Sequence, residues 1–379
     1  MAASTGAIVA NIYYIQPLLA DVARDFHLNV TRVGFIAMLT QIGTALGMLF
    51  FVPLGDTKER RSLITLLVSV AAIALALVAT ARNPTWLALA CLVVGAMGAS
   101  VHLFVPFAAH LAPPAQRGRV VGSVFSGILL GILLARTFSG TIGAHLGWRA
   151  VYLIAAALMA LIAILVQVFL PRSQPTVELP YLSLLRSTLD LIRNHPELRE
   201  AAYLGGSFFC CFMAFWTTLV FFLETPPYHY GAETAGLLGL VGAAGAAGAP
   251  LFGRATDQRG ARFTVGVALL SVAAAYLVLW FAGRNLVGLI AGVLLMDVGV
   301  QAGHVANQTR IYGLRPEARS RLNMFYMVCY FSGGAAGSLL GAYAWRVHGW
   351  VGVCVLCLGV MALGLVRFWM GRPRAMRAA

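Results

Sequence analysis

The sequence predicts an all-α membrane protein, with twelve transmembrane helices in two pseudo-symmetric six-helix bundles. Three observations lead there. Of the 379 residues, 60% are apolar and 11% charged, with a mean hydropathy of +0.83. A soluble domain carries roughly 25% charged residues, and without them it cannot cover a water-facing surface. The apolar residues fall in runs, such as Leu63 to Ala79 and Val151 to Leu170, long enough for a helix to cross a hydrocarbon core of about 30 Å. Finally, short loop signatures of the first half recur in the second at one register.

Polar, glycine and proline punctuation gives twelve apolar segments: 2–20, 32–53, 62–81, 85–110, 120–142, 150–170, 200–223, 233–253, 263–282, 286–311, 322–344 and 350–370. Most connections are short, and only helical hairpins reverse so tightly while keeping every backbone group bonded inside lipid. The longest connection, 171–199, separates an N-terminal six-helix bundle, 1–170, from a C-terminal one, 200–379. Within it Leu182, Leu185, Leu189 and Ile192 share one helical face, and Arg186, Asp190 and Arg193 the other. That is the pattern of an amphipathic helix at a membrane interface, and also of a plain linker helix.

The net charge is +14, from 27 cations against 13 acids, and Lys58 is the one lysine. In a soluble protein such a balance suggests nucleic acid as the partner. Sorted by loop it means something else. The even-numbered connections and the C-terminus hold twenty cations and the odd-numbered connections six, while Arg136 lies inside segment 5. The positive-inside rule then places both termini in the cytoplasm, so the positive charge is a topology signal and no nucleic-acid partner is expected. The six cysteines all fall in apolar segments and form no disulfide framework. No cleavable signal peptide is evident.

The halves repeat. Leu54-Gly55-Asp56-Thr57-Lys58-Glu59-Arg60-Arg61 after segment 2 matches Ala255-Thr256-Asp257-Gln258-Arg259-Gly260-Ala261-Arg262 after segment 8, at an offset of 262 − 61 = 201. Arg117-Gly118-Arg119 matches Arg319-Ser320-Arg321, and Gly147-Trp148 matches Gly349-Trp350, both at an offset of 349 − 147 = 202. Two copies of one six-helix unit in the same orientation follow.

With these motifs the chain resembles the major facilitator superfamily over nearly its whole length, and more loosely that family's drug-and-proton antiporter-like bacterial exporters. The family's loop motif, G-x-L-A-D-R-x-G-R-R-like, survives as Leu54, Gly55, Asp56, Arg60 and Arg61 in the first copy, and as Gly253, Asp257, Gly260 and Arg262 in the second. The resemblance implies the major facilitator fold, with Asp56, Arg60, Arg61, Asp257 and Arg262 as a conformational latch. A carboxylate among helix ends and arginines is suited to favour one state of a two-state gate. Two features depart from the exporters. Where they carry an arginine in helix 4, this chain has Cys91. Of the helix 5 signature G-x-x-x-G-P-x-x-G-G only Gly127 and Gly131 remain, followed by Ile132, Ala135 and Arg136.

Ionisable groups inside a membrane are costly and are functional candidates by default. Asp297, the one carboxylate read as deep in a segment, stands about eleven residues from the outer end of segment 10, roughly 16 Å at the helical rise. A carboxyl group there can take up and release a proton. Asp297, Gln301, His304 and Gln308 form one polar stripe with Asn307 beside it, either lining a cavity or bonding neighbouring helices. His102 in segment 4 is the repeat partner of His304, since 304 − 102 = 202; the three residues Asp297, His304 and His102 are the candidate proton-coupling groups. Arg136 is expected to anchor an anionic substrate, to be a counter-ion to Asp297, or to be a structural or snorkelling side chain. Asn11, Tyr14, Gln16 and Gln41 in segments 1 and 2 and Trp216 in segment 7 complete the candidate substrate contacts, although Tyr13 and Trp216 also fit the role of interface anchors. Gly236, Gly239, Gly242, Gly245 and Gly248 recur every third residue in segment 8, a close-packing surface expected to meet Gly127 and Gly131.

No enzyme motif is present: Lys58 follows Thr57 outside any Walker A loop, and neither H-E-x-x-H nor G-x-S-x-G occurs. No cofactor or metal is called for. Residues and resemblance together predict a monomeric secondary transporter of a small molecule that works by alternating access, most simply as proton-coupled export. The alternatives are an importer of a small organic anion held by Arg136, a transition-metal carrier using His102, His304 and Asp297, and, outside transport, a membrane receptor or channel.

Overall fold

The computed structural model describes residues 1–113, 116–173, 181–247, 258–315 and 318–371, with the side chains of 56, 181–186 and 243–247 outside that description. Every described regular element is a helix. They are α1 (Ala2–Ala10), α2 (Ile15–Asp25), α3 (Val30–Phe50), α4 (Leu54–Thr57), α5 (Arg60–Ala79), α6 (Pro84–Gly98), α7 (Val101–Leu111), α8 (Arg117–Leu146), α9 (Trp148–Phe169), α10 (Tyr181–Asn194), α11 (Pro196–Glu224), α12 (Ala232–Ala247), α13 (Ala261–Ala282), α14 (Leu286–Tyr312) and α15 (Arg319–Met370). Among the described residues ten stretches are long and apolar enough to cross a membrane. The last, Arg319–Met370, joins segments 11 and 12, and α12 is a further, shorter apolar helix, in keeping with the twelve segments expected.

Segments 1 and 4 are broken where continuous helices were expected. Segment 1 divides at Asn11–Tyr14 into α1 and α2. Pro17 explains the break, because its ring clashes with the carbonyl of Tyr13, four residues back, and offers no N–H. Segment 4 divides into α6 and α7 around Ala99 and Ser100. There the N–H groups of Ser100, His102 and Leu103 bond three residues back, to Met97, Ala99 and Ser100, beside Gly98. Segments 11 and 12 run together except at His348 and Gly349, where glycine takes φ 58. Gly147, its repeat partner, takes φ 83 at the junction of α8 and α9. Both corners need a left-handed residue before a tryptophan, which is why the Gly-Trp pair recurs.

The chain forms two compact units, Met1–Leu184 with Leu219–Leu240, and Leu185–Thr218 with Val241–Ala379. In the first unit α1 crosses α8 at small residues: a Cβ on Gly127 would collide with the Ala2 carbonyl, and one on Gly131 with that of Gly6. The Gly127/Gly131 face therefore belongs to α1 and not, as the sequence suggested, to α12. The α12 contact with α8 lies further along, where Gly236 faces Gly140 and the Arg136 carbonyl, and Thr137 Oγ1 donates to the Gly236 carbonyl at 3.0 Å. In the second unit the equivalent crossing sets Gly333, Gly337 and Gly341 of α15 against Gly206, Cys210 and Ala214 of α11. Without a hydrophobic drive between helices in lipid, such close backbone approach is what holds them. The linker helix α10 docks in the second unit, where Arg321 donates to Ser187 Oγ at 2.7 Å.

Candidate functional site

In the first unit the candidate residues gather around the break in segment 1. Arg136 on α8 is 2% exposed. Its Nε donates to Gln16 Oε1 at 2.6 Å, and its guanidinium lies 5.0 Å from the centre of the Tyr13 ring. The snorkelling alternative is thereby overturned, since this guanidinium turns inward. Tyr13 is likewise buried and is no interface anchor. Gly239 of α12 packs on the Arg136 Cβ and Cδ, so the arginine stem is clamped by a residue that leaves it room. Tyr14 packs on Phe138, with ring centres 5.6 Å apart. Asn11, at the end of α1, and Gln41, on α3, are buried, and their Oδ1 and Oε1 find no donor among the described residues. An irregular stretch of backbone with amide acceptors beside it is how membrane helices build a polar site. His102 is half-buried on α7.

In the second unit Asp297 is 5% exposed and faces α12. A Cβ on Gly242 would lie 2.5 Å from Asp297 Oδ2 and 3.5 Å from the Trp216 ring, so glycine makes the space the carboxyl group occupies. Trp216 is buried and, like Tyr13, is not an interface anchor. Further along the same stripe, Gln301 is half-buried, His304 Nδ1 stands 3.0 Å from Tyr326 Oη, and Gln308 Nε2 donates to Asn323 Oδ1 at 3.2 Å. Asn307 accepts from Arg310 at 3.3 Å and also bonds the Tyr326 hydroxyl that His304 faces. Among the described residues no group of three or more His, Cys, Asp or Glu could hold a metal ion.

An aromatic column escaped the sequence reading. The His304 ring lies 4.7 Å from that of Tyr330, Tyr330 stacks on Phe209 at 4.1 Å, and Phe212 links Phe209 to Trp216 at 5.5 and 6.1 Å. The signal was present as Phe209, Phe212 and Trp216 on one face of segment 7, masked by the general abundance of apolar residues there.

The arginine-rich helix ends hold the latch candidates. In the first unit Arg60 Nε donates to the Gly55 carbonyl at 2.9 Å, and Arg61 to the Leu170 and Gln167 carbonyls at 3.1 and 3.4 Å. Glu59 caps α5, accepting from the N–H groups of Arg61, Ser62 and Ser173. Partial burial opposes its charge, but the Ser62 hydroxyl and these three N–H groups outweigh that and hold its carboxyl down at about 2. Asp56 contributes only backbone, to α4, its side chain being outside the described residues, as is the whole of Asp257. In the second unit Arg262 donates to the Phe368 carbonyl at 2.5 Å and to Glu200 Oε1 at 2.9 Å, and Arg310 donates to the same oxygen at 2.8 Å. Glu200 is 3% exposed. Asp297 is therefore not the one buried carboxylate. Glu200 was passed over because it opens segment 7, where an acid reads as interfacial.

Comparison with known proteins agrees with this architecture. The family model described as Major Facilitator Superfamily matches residues 1–311 and 204–379. The uncharacterized transporter YgaY of Escherichia coli O157:H7 is 42% identical over 374 residues, covering 99% of this chain and 95% of that protein. The probable transporter SCO4007 of Streptomyces coelicolor is 35% identical over 365 residues, covering 96% and 85%. Among solved structures, a bacterial homolog to the human lysosomal transporter Spinster, in an inward-facing and occupied conformation, superposes with a TM-score of 0.79 at 15% identity, covering 97% of this chain and 94% of that one.

Proposed function

Starting from the fact that this chain belongs to the Major Facilitator Superfamily, and is a multi-pass secondary transporter and not an enzyme, we propose that it exports a small organic molecule in exchange for protons. In this reading the protein is a monomer of the bacterial inner membrane with both termini in the cytoplasm, and its two six-helix halves alternate access around a central path. The observation that carries the proposal is Asp297: a buried carboxyl group midway along α14, in a space that glycine at 242 alone leaves open. A carboxyl group enclosed in a membrane helix can trade its proton for a change in its surroundings, which is what coupling requires. His304, bonded to Tyr326, and His102 act as proton partners. Arg136, Asn11, Tyr14, Gln16 and Gln41 from one half, and Trp216, Gln301, Asn307 and Gln308 from the other, contact substrate. Asp56, Arg60, Arg61, Asp257 and Arg262 bias the two states.

The test begins with a thermal-shift screen of drug cations, sugars and organic acids on the purified chain, followed by flux of the best ligand in proteoliposomes. Asp297→Asn is expected to abolish flux driven by a pH gradient while preserving ligand binding. Unchanged pH dependence in that variant would falsify the proton-carrier role. A second reading, import of an organic anion, is favoured by the inward-turned guanidinium of Arg136, and an acid emerging from the screen would select it.

A further inference from the structure

The second unit contains a cavity of about 370 Å³ on the seam between α13 and α14. Its walls are polar at one end and apolar along the rest. Gln258 and Arg259 stand at the arginine-rich end, followed by Phe263, Thr264, Val267, Ala268 and Ser271, which recur on one face of α13. Val298, Gly299 and Ala302 of α14 form the opposite wall. Small residues create the hollow: Gly299 brings α14 close enough that a Cβ there would meet Val272 at 2.8 Å and Ser271 at 3.1 Å. The groove lies on the outer side of the helix pair, where Phe263 and Val267 are exposed. Arg259 is exposed, stacks on Phe263 at 5.5 Å, and makes no ion pair among the described residues.

We propose that this cavity holds an anionic phospholipid, with its phosphate on Arg259 and one acyl chain along the α13–α14 groove. Both parts of the lipid are needed to match the wall. A planar guanidinium forks onto phosphate oxygens, whereas a free phosphate would leave the apolar wall uncovered. From Arg259 to Ser271 the groove spans about 18 Å at the helical rise, which exceeds half of a hydrocarbon core of about 30 Å and so accommodates a chain within one leaflet. The charge lies at the arginine-rich membrane face, where anionic lipid is attracted to basic side chains. This inference is independent of substrate and coupling and rests only on the membrane-spanning fold.

Native mass spectrometry tests it on the full-length protein in detergent, equilibrated with equal phosphatidylglycerol and phosphatidylcholine of matched chains. Wild type is expected to retain phosphatidylglycerol about fivefold over phosphatidylcholine through this arginine. Arg259→Gln should reduce that ratio toward one, and Arg259→Lys should keep most of it. Ser271→Phe, which fills the far end of the groove, should lower retention of both lipids. Equal retention of the two by wild type, or an unchanged ratio in Arg259→Gln, overturns the proposal. So does displacement of phosphatidylglycerol by inorganic phosphate, which would make the site one for a free anion. The wild-type ratio and the phosphate competition decide the matter even if a variant does not fold. Because the readout is lipid retention and not flux, neither result bears on the transport proposal.

Discussion

Replacing Glu200 with glutamine keeps the shape of the side chain and removes one charge from a buried group of three. In the native protein a single carboxylate oxygen accepts from Arg262 at 2.9 Å and from Arg310 at 2.8 Å, while the other lies against Gly371 at the end of α15. The glutamine oxygen can still accept both bonds, but as a neutral group. Each bond loses its carboxylate charge, and the two guanidiniums, whose mutual repulsion is the same in both proteins, lose the negative charge that offset it. Breaking a buried pair from one side costs about 3–5 kcal/mol. The side chain of Arg262 is 24% exposed and that of Arg310 10%, so solvent reduces that figure. A net loss of about 2–4 kcal/mol follows.

The chain provides its own reporter. Cys91, Cys210, Cys211, Cys354 and Cys357 are buried free thiols, and a thiol-reactive fluorophore will label them as the helices come apart on heating. Glu200→Gln should lower the labelling midpoint by several degrees in detergent. Adding Arg310→Gln should recover part of the loss, because one of the two unmatched cations is removed. A single variant within about 0.5 kcal/mol of wild type, the range of an ordinary surface change, would refute the idea that this carboxylate ties α11, α13, α14 and α15 together.

Three other outcomes are expected. Gly242→Ala places a methyl group 2.5 Å from Asp297 Oδ2, and should cut pH-gradient-driven flux at least tenfold while the protein still extracts as a monodisperse species. Arg136→Gln should weaken binding of organic acids in a thermal-shift titration by tenfold or more, leaving cations and neutral ligands unaffected; an equal loss for all three classes points to misfolding and defeats the anion reading. Glu59, whose carboxyl is held down at about 2, stabilises the start of α5 at any pH above the ordinary carboxylate range and loses that contribution as pH falls through its own low value. Measured against the intrinsic rate at each pH, protection of the Ser62 amide from hydrogen exchange should therefore fall between about pH 4.5 and 2, and in Glu59→Gln it should already be low at pH 7.

Periodicity and punctuation made the helices legible because lipid enforces a simple rule: each crossing must be long, apolar and internally bonded. Finer features obey local chemistry. The break at Asn11–Tyr14 follows from Pro17, a cue the sequence carried openly. The partner of the Gly127/Gly131 face could not be read, because glycine marks close approach without naming the neighbour, and α1 offered Ala2 and Gly6 where segment 8 offered five glycines. Arg136 and Asp297 were found by being expensive where they are. Glu200 was missed because its burial arises from Arg262 and Arg310, which lie 62 and 110 positions away. The aromatic column around His304 was missed for a different reason, since aromatic residues in an apolar helix are individually unremarked.

The internal repeat sharpens where function resides. It persists to single hydrogen bonds: Arg61 reaches the Gln167 carbonyl and Arg262 the Phe368 carbonyl, each pair displaced by 262 − 61 = 368 − 167 = 201. The two halves thus share one device for fastening their third helix to the end of their sixth. Within the membrane the correspondence fails at the charged positions. At an offset of 202, Asp297 answers to Gly95, which is packed against the Thr40 backbone, and Arg136 answers to Ser338, which accepts from Thr217 at 3.1 Å. His102 and His304 do correspond, but Tyr326, the partner of His304, answers to Val124. Duplication supplies a frame in which two halves can exchange roles, and a symmetric frame by itself has no preference for one ligand or one ion. Selectivity has to come from groups that one half has and the other lacks. By that argument Arg136 and Asp297 are specialised residues added to a shared scaffold, and grafting an aspartate at Gly95 would not duplicate the proposed proton site, because the Thr40 backbone occupies the space the carboxyl group needs.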